Sequence, residues 1–256
     1  MRTLRLLGLG WLLQLKMMLR SAFNGFLSVV WPMFFATTAF FIFRAGHDPH
    51  TLLYASLGAS VMGIWSATST SASGAIQRER WHGTLEILVA APAHFSLVLL
   101  PLTVAMSTVG LYSMIATLAW GHFAFGIDIH LVHPLLFLVS VPVTIAAIGA
   151  AGFLLSVGVV RYRFAWALGN ALEYPVWLVC GFLVPLSLLP AWVRPLSWAL
   201  APTWGIRAIR ESAIGGSPLP DLLVCAALGV AYVVVGVALV ETVLRAARRT
   251  ATLSLT

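Results

Sequence analysis

The chain has 256 residues, of which 60% are hydrophobic and only 9% are charged. A soluble domain of this size usually carries about 25% charged residues, so the composition excludes an ordinary soluble domain and predicts a protein that faces lipid. The formal net charge is +7, but the basic residues are spread over short segments beside apolar runs. This distribution argues against nucleic-acid binding and is typical of orientation signals in a membrane protein.

Residues 1–22 are predicted to form an amphipathic helix on the cytoplasmic surface of the membrane. At about 100° per residue, Arg2, Arg5, Lys16 and Arg20 fall within an arc of roughly 60°. A basic edge of this kind faces anionic lipid head groups, so membrane lipids are expected partners. The alternative is a simple basic flank of the first span.

Six apolar segments are each long enough to cross a bilayer, which takes about 20 residues. They are residues 23–43, 52–76, 95–120, 134–157, 164–189 and 222–244. Most Lys and Arg residues then lie on one side of the membrane, and the other side holds Arg44, Arg194, Arg207 and Arg210. This bias predicts a multi-pass protein of the cell membrane with both termini in the cytoplasm. The predicted fold class is all-α integral membrane, with six transmembrane helices in a single domain over residues 1–256.

Residues 77–94 place charge and a short helix between the second and third apolar runs. Gly83 is expected to end the second long helix in a left-handed conformation, and Thr84 is expected to cap a new helix. Glu86 lies in the first turn of that helix, where the helix dipole favours a carboxylate, and Pro92 ends it.

One face of this short helix is apolar. Leu85, Leu88 and Val89 follow one another at helical spacing and form a stripe. The segment before it carries three consecutive charges, at Arg78, Glu79 and Arg80. An exposed apolar stripe beside charge is typical of a surface that fits into a groove of a partner. The alternative is a solvated loop that only sets orientation.

Residues 190–217 are too polar for a span and too apolar for a free loop. Proline at positions 190, 195 and 202 is expected to divide the segment into short helices, and its tryptophans suit a membrane interface. Its charged residues are expected to lie near the external face and to pair with each other or with lipid phosphates; they are Arg194, Arg207, Arg210 and Glu211.

The fifth apolar run carries polar residues on one helical face, because spacings of three, four and seven align them. They are Asn170, Glu173, Tyr174 and Trp177. An ionisable residue inside a span is a functional hypothesis by default, so Glu173 is expected either to contact a cationic or hydroxylated substrate or to line the pathway. The alternative is a structural bond to a neighbouring helix. Pro175 and Pro185 are expected to kink this helix.

Two motifs resemble those of a known family. The stretch RERWHGTLEILVAAP at 78–92 resembles the RERERGTLEQL…P segment of ABC-2 type transporter permeases, the membrane subunits of a large exporter family. The stretch GFLVPLSLLPAW at 181–192, followed by APTW at 201–204 and the arginines at 207 and 210, is similar to the family's SGvffP…lP.wl…nPltY…lR pattern. His82 and Cys180 depart from the usual residues.

The resemblance implies that transport and ATP hydrolysis are carried out by separate subunits. Residues 83–92 would be the coupling helix that docks on an ATP-binding subunit. This chain has no G-x-x-x-x-G-K-[ST] phosphate loop, so we expect no enzyme activity and no cofactor in the chain itself. ATP and Mg²⁺ are expected on a separate ATPase subunit present in two copies, and a second permease, identical or homologous, completes a dimer.

The resemblance also places a pathway and a gate. In the family, the first and fifth spans of two protomers face each other, so residues of the first span join the candidate pathway: Trp31, Phe34 and Thr38, with Asn24, Phe35 and Thr37 as further candidates. The 190–217 segment would dip into the outer leaflet as re-entrant external helices. Its candidate gate residues are Pro190, Trp192, Trp204 and Arg207. The alternative is a structural lid.

We therefore expect the permease subunit of a bacterial ATP-driven exporter of an amphipathic drug-like compound, lipid or glycolipid. A lipid-linked polysaccharide is the alternative cargo. A passive channel or an intramembrane enzyme is the competing class. No metal site is expected, because the histidines lie in loops or at span ends without a completing set of ligands.

Overall fold

A computed structural model describes residues 2–20, 22–44, 49–81, 83, 94–161 and 165–250. The described residues are helical, with short turns between the helices and no β-strand. The α-helices are α1 (Arg2–Leu19), α2 (Ala22–Arg44), α3 (Pro49–Trp81), α4 (Ser96–Phe125), α5 (Pro134–Arg161), α6 (Ala165–Val179), α7 (Val193–Trp198), α8 (Ala201–Ile214) and α9 (Pro218–Thr250). A short 3₁₀ helix, Leu186–Leu188, lies between α6 and α7. The all-α class is therefore confirmed.

Three helices in the described ranges are long and apolar enough to cross a membrane: Ser96–Phe125, Pro134–Val157 and Pro218–Thr242. They correspond to the third, fourth and sixth predicted spans. The first predicted span contributes a shorter apolar helix, Pro32–Phe41. The second lies in α3, which has 33 residues but is rich in Ser, Thr and Gly. The count of six spans stays a prediction.

The fifth apolar run is broken, and this corrects the expectation of one helix over residues 164–189. Helix α6 ends at Val179 after 15 residues, and Gly181 adopts a left-handed φ of 71°. The N–H of Phe182 donates to the Trp177 carbonyl and the N–H of Gly181 donates to the Leu178 carbonyl, the hydrogen-bond pattern of a Schellman cap. Pro175 lies inside α6 as predicted, but Pro185 lies beyond its end and cannot kink it.

Helix α3 is the centre of the bundle and packs against α2, α4, α5, α6 and α8. Its contact with α4 is close because each helix offers a glycine. A methyl group on Gly63 would overlap Ser113, and one on Gly110 would lie 2.6 Å from the Ile64 Cα. Buried Thr68 donates its hydroxyl to the carbonyl of Ile64 one turn earlier. Small and hydroxyl residues thus serve helix packing here, as in other membrane proteins.

Helix α1 packs along α4. The Trp11 Nε1 donates to the Thr108 hydroxyl over 3.1 Å, and Gly10 lies against Pro101. The basic residues Arg5, Lys16 and Arg20 are exposed, in agreement with a basic edge. Exposed leucines on the same helix, such as Leu13, give it an apolar surface beyond the one that α4 covers.

Arg210 of α8 is buried at the broken end of α6, with 7% of its surface exposed. Its guanidinium donates to the Gly181 carbonyl at 2.8 Å, to the Phe182 carbonyl and to the Tyr54 carbonyl at 3.2 Å. It also lies 3.3 Å from the centre of the Tyr54 ring. One side chain therefore joins α3, α8 and the chain just after α6.

Gly58 of α3 makes this approach possible. A methyl group there would overlap the Phe182 carbonyl oxygen and would lie 2.6 Å from an Arg210 nitrogen. The buried guanidinium donates a hydrogen bond to this carbonyl. Moving either group away from the methyl group would therefore break that bond. Any residue larger than glycine at this position must therefore separate α3 from the end of α6.

We expect Gly58→Ala to destabilise the folded protein by about 1–3 kcal/mol, the range for overpacking a tight contact. The matched control is Gly74→Ala in the same helix, since a methyl group on Gly74 meets no atom within 4 Å and alanine favours helix by up to about 1 kcal/mol. Thermal unfolding of both variants in detergent measures the difference. Equal melting temperatures would contradict the close contact.

Candidate functional site

The predicted coupling segment begins where α3 ends. The helical backbone continues through positions 78–80 to Trp81, which is 76% exposed. Gly83 adopts a φ of 67°, so its expected left-handed conformation after the helix is confirmed. Thr84, Leu85, Glu86, Leu88, Val89 and Pro92 lie outside the described residues, as do the side chains of Arg78, Glu79 and Arg80. Their coupling role stays a prediction.

Glu173 is the central charged group of the candidate pathway. Helix α6 directs it towards α3, where the Ser66 hydroxyl donates a hydrogen bond to its Oε1. Only 7% of its surface is exposed. A buried carboxylate needs such a partner, since an unpaired one is costly to remove from water. This contact corresponds to the structural alternative of a bond to a neighbouring helix, and it leaves one carboxylate oxygen for another partner.

The four polar positions of α6 do not share one environment. Glu173 and Trp177 are buried, Asn170 is half-buried and Tyr174 is 53% exposed. Residues on one arc of a helix can still differ in burial. One half of the arc packs against a neighbouring helix, and the other half faces outwards. The predicted common face is thus divided, and Tyr174 marks its outward side.

Aromatic rings connect α6 with α2. The Phe35 ring lies edge-to-face on Trp177, with centroids 5.1 Å apart, and the Tyr174 ring also lies edge-to-face to Trp177, with centroids 4.9 Å apart. Phe34 is 66% exposed and touches Phe35 at 6.2 Å. The first and fifth runs therefore meet within one protomer, and the pathway between two protomers stays a prediction. The side chains of Asn24 and Trp31 lie outside the described residues.

Trp120 of α4 contacts the candidate pathway residue Thr37 of α2, and the sequence did not predict this contact. Its Nε1 donates to the Thr37 hydroxyl at 2.9 Å, and that hydroxyl in turn donates to the Met33 carbonyl at 2.7 Å. The candidate Thr38 is exposed and donates to the carbonyl of Phe34 in its own helix at 3.1 Å. A tryptophan at the end of an apolar run reads as an interface anchor, so its sequence position gives no sign of this contact.

Helices α7 and α8 follow one another after a short turn and are together called the hairpin, residues 193–214. The predicted division of 190–217 into short helices is confirmed. Pro190 and Trp192 are exposed before α7. Trp204 donates its Nε1 to the Trp198 carbonyl at 2.8 Å, which joins the two helices of the hairpin.

Arg207 and Arg210 have different surroundings. The Nε of Arg207 lies 3.0 Å from Asp221 Oδ2 at the start of α9, and its guanidinium lies over the Trp204 ring. Burial raises the pKa of Glu211, nearby Asp221 raises it further and Arg207 opposes both. Arg207 therefore faces two carboxylates. Arg210 was expected to pair with the other charged residues or with lipid phosphates, but it is buried and donates to backbone carbonyls.

The family comparison covers most of the chain. The model of the ABC-2 type transporter family matches residues 7–214, which begin within α1 and end with α8. The matched range includes the charged end of α3, the Glu173 contact and the hairpin. No curated protein was found to match the sequence.

We predict that Glu173→Gln changes which compounds are transported. The free energy of unfolding should change by less than about 1 kcal/mol. Glutamine retains a carbonyl oxygen that can accept from Ser66, so the substitution removes the charge and not the contact. Transport of a panel of cationic, neutral and anionic amphipathic compounds measures the change.

Ser66→Ala is the matched control, since it removes the hydrogen bond and keeps the charge. If charge acts on cargo, Ser66→Ala retains the original preference. An unchanged preference in Glu173→Gln would leave only the structural role for this carboxylate.

Proposed function

Because the chain belongs to the ABC-2 type transporter family, we propose that it is the membrane permease subunit of an ATP-driven exporter. A separate ATPase subunit, in two copies, supplies the energy from ATP and Mg²⁺. A second permease, identical or homologous, completes the pathway. The cargo is an amphipathic drug-like compound, lipid or glycolipid.

The shape and contacts of α3 are the main support for this proposal. Its 33 residues correspond to a length of about 50 Å at 1.5 Å per residue. Near its start, Tyr54 and Gly58 contact the Arg210 cluster. In its middle, Ser66 bonds to Glu173. At its far end, Gly83 leads into the segment that we predict to dock on the ATPase.

A single helix with these two contacts and the predicted docking segment at its end can carry a movement from one end of the bundle to the other. In our proposal the Gly83 end faces the cytoplasm, where closure of two ATPase subunits displaces the coupling helix. The displacement shifts α3 against α6 at Ser66 and Glu173, and it changes the position of the hairpin. The hairpin then acts as the gate on the external side, with Trp192, Trp204 and Arg207 at its surface.

Purification of the tagged chain from its native membrane tests the composition of the complex. We expect mass spectrometry to identify a P-loop ATPase in comparable amount, together with one or two kinds of permease. Recovery of the chain alone, under conditions that preserve other transporter complexes, would contradict the proposal and favour a channel or membrane enzyme.

We predict that Leu88→Asp lowers substrate-stimulated ATP hydrolysis by the reconstituted complex at least tenfold while the chain still inserts. A carboxylate in the centre of the apolar stripe must lose its water when the helix docks, which weakens docking. A tenfold loss corresponds to about 1.4 kcal/mol of binding free energy. Glu86→Lys, which reverses the charge in the first turn of the helix, should have a similar effect.

Val132→Asp is the control, because it places the same carboxylate on a side chain that is 53% exposed and lies in the loop before α5, outside the predicted coupling helix 83–92. It should retain stimulated hydrolysis. Normal hydrolysis in both Leu88→Asp and Glu86→Lys would refute the coupling assignment.

A further inference from the structure

A cavity of about 410 Å³ lies between the broken end of α6, the hairpin and the start of α3. Its volume falls within the range of about 300–1,000 Å³ that is usual for small-molecule sites. The lining includes the aromatic residues Tyr54 and Trp198, the hydroxyl residue Ser187 and three arginines, Arg194, Arg207 and Arg210. No acidic side chain is among the described residues that line it.

The three arginines are not equally neutralised. Arg207 is paired with Asp221, which is not among the lining residues. Within the part of the chain that the structure describes, Arg194 and Arg210 have no carboxylate partner. Arg210 is held by backbone carbonyls and by the Tyr54 ring, and its Nε is buried without a hydrogen-bond partner there. The cavity lining therefore carries positive charge that no described carboxylate offsets.

We propose that this cavity binds the phosphate group of an anionic ligand. Arginine presents its donors in a planar fork that matches phosphate oxygens. A phosphate monoester carries about −1.5 to −2 charges near neutral pH, which suits two uncompensated arginines better than the single charge of a carboxylate. The hydroxyl of Ser187 adds a further donor at the wall of the cavity.

The surroundings of the cavity are apolar and exposed. Leu188, Trp192 and Leu196 all lie close in sequence to the cavity-lining residues, and each exposes more than half of its surface. Such a border can accommodate acyl chains while the head group reaches the arginines. The ligand chemistry is thus a phosphate, carried either by a lipid or by the free anion. This proposal concerns binding alone and does not depend on the ATPase.

The test uses the full-length chain in nanodiscs of phosphatidylcholine, with binding of fluorescent phosphatidic acid as the readout. Arg194→Gln is the informative variant, because Arg194 is exposed and its loss does not disturb the Arg210 cluster. We expect it to weaken binding about tenfold, the loss of roughly one charge-assisted hydrogen bond. Arg161→Gln is the control, since it removes one positive charge at the end of α5 and Arg161 is not among the described residues that line the cavity; binding should stay within about twofold.

Competition distinguishes the two sources of the phosphate. If diacylglycerol with the same chains fails to compete and inorganic phosphate competes only at far higher concentration, the site takes a phospholipid head group. If inorganic phosphate competes as well as the lipid, and Arg194→Gln weakens both, the site takes the free anion. Equal losses in Arg194→Gln and Arg161→Gln, or competition by diacylglycerol as strong as by phosphatidic acid, would overturn the proposal.

Discussion

The hydrogen bonds of Arg210 hold together the part of the bundle on which the candidate site and the cavity depend. Helix α6 stops at Val179, and backbone carbonyls beyond a helix end must find donors when water is absent. Arg210 supplies them to Gly181 and Phe182 and reaches the Tyr54 carbonyl as well. The arginine in turn avoids the penalty of an unpaired buried charge, since every carbonyl that it contacts partly offsets its desolvation.

Two buried charges therefore fix α6 at its middle and beyond its end. Glu173 is bonded to Ser66 of α3, and Gly181 lies eight positions later, about 12 Å along a helix axis. With 15 residues, α6 spans only about 22 Å, less than the roughly 30 Å of a bilayer core. A helix this short depends on its neighbours for position. Polar contacts to α3 and α8 set that position more specifically than apolar contact would.

Local sequence patterns predicted local structure, such as helix ends. They could not predict contacts between residues that lie far apart in the chain. The left-handed Gly83 follows from glycine's freedom at a helix end. The short helices of 190–217 were predicted correctly, but Pro195 lies inside α7 and does not divide the segment. The end of α6 at Val179 was missed because residues 164–189 are apolar almost throughout, and apolar periodicity is the same in a continuous and a broken helix. The contact that accompanies the break joins residues 156 positions apart, Arg210 and Tyr54. Nothing near either residue indicates the other.

The broken helix also explains why a cavity exists beside Arg210. Had α6 continued to residue 189, its side chains would fill the space below the hairpin, and no carbonyls would need a donor. Because it stops, Gly181 and Ser187 line a space that faces three arginines. The carbonyls occupy the two terminal nitrogens of Arg210 and leave its Nε unpartnered among the described residues. The residue that stabilises the helix end thus retains one donor, while Arg194 contributes a charge that no described carboxylate offsets.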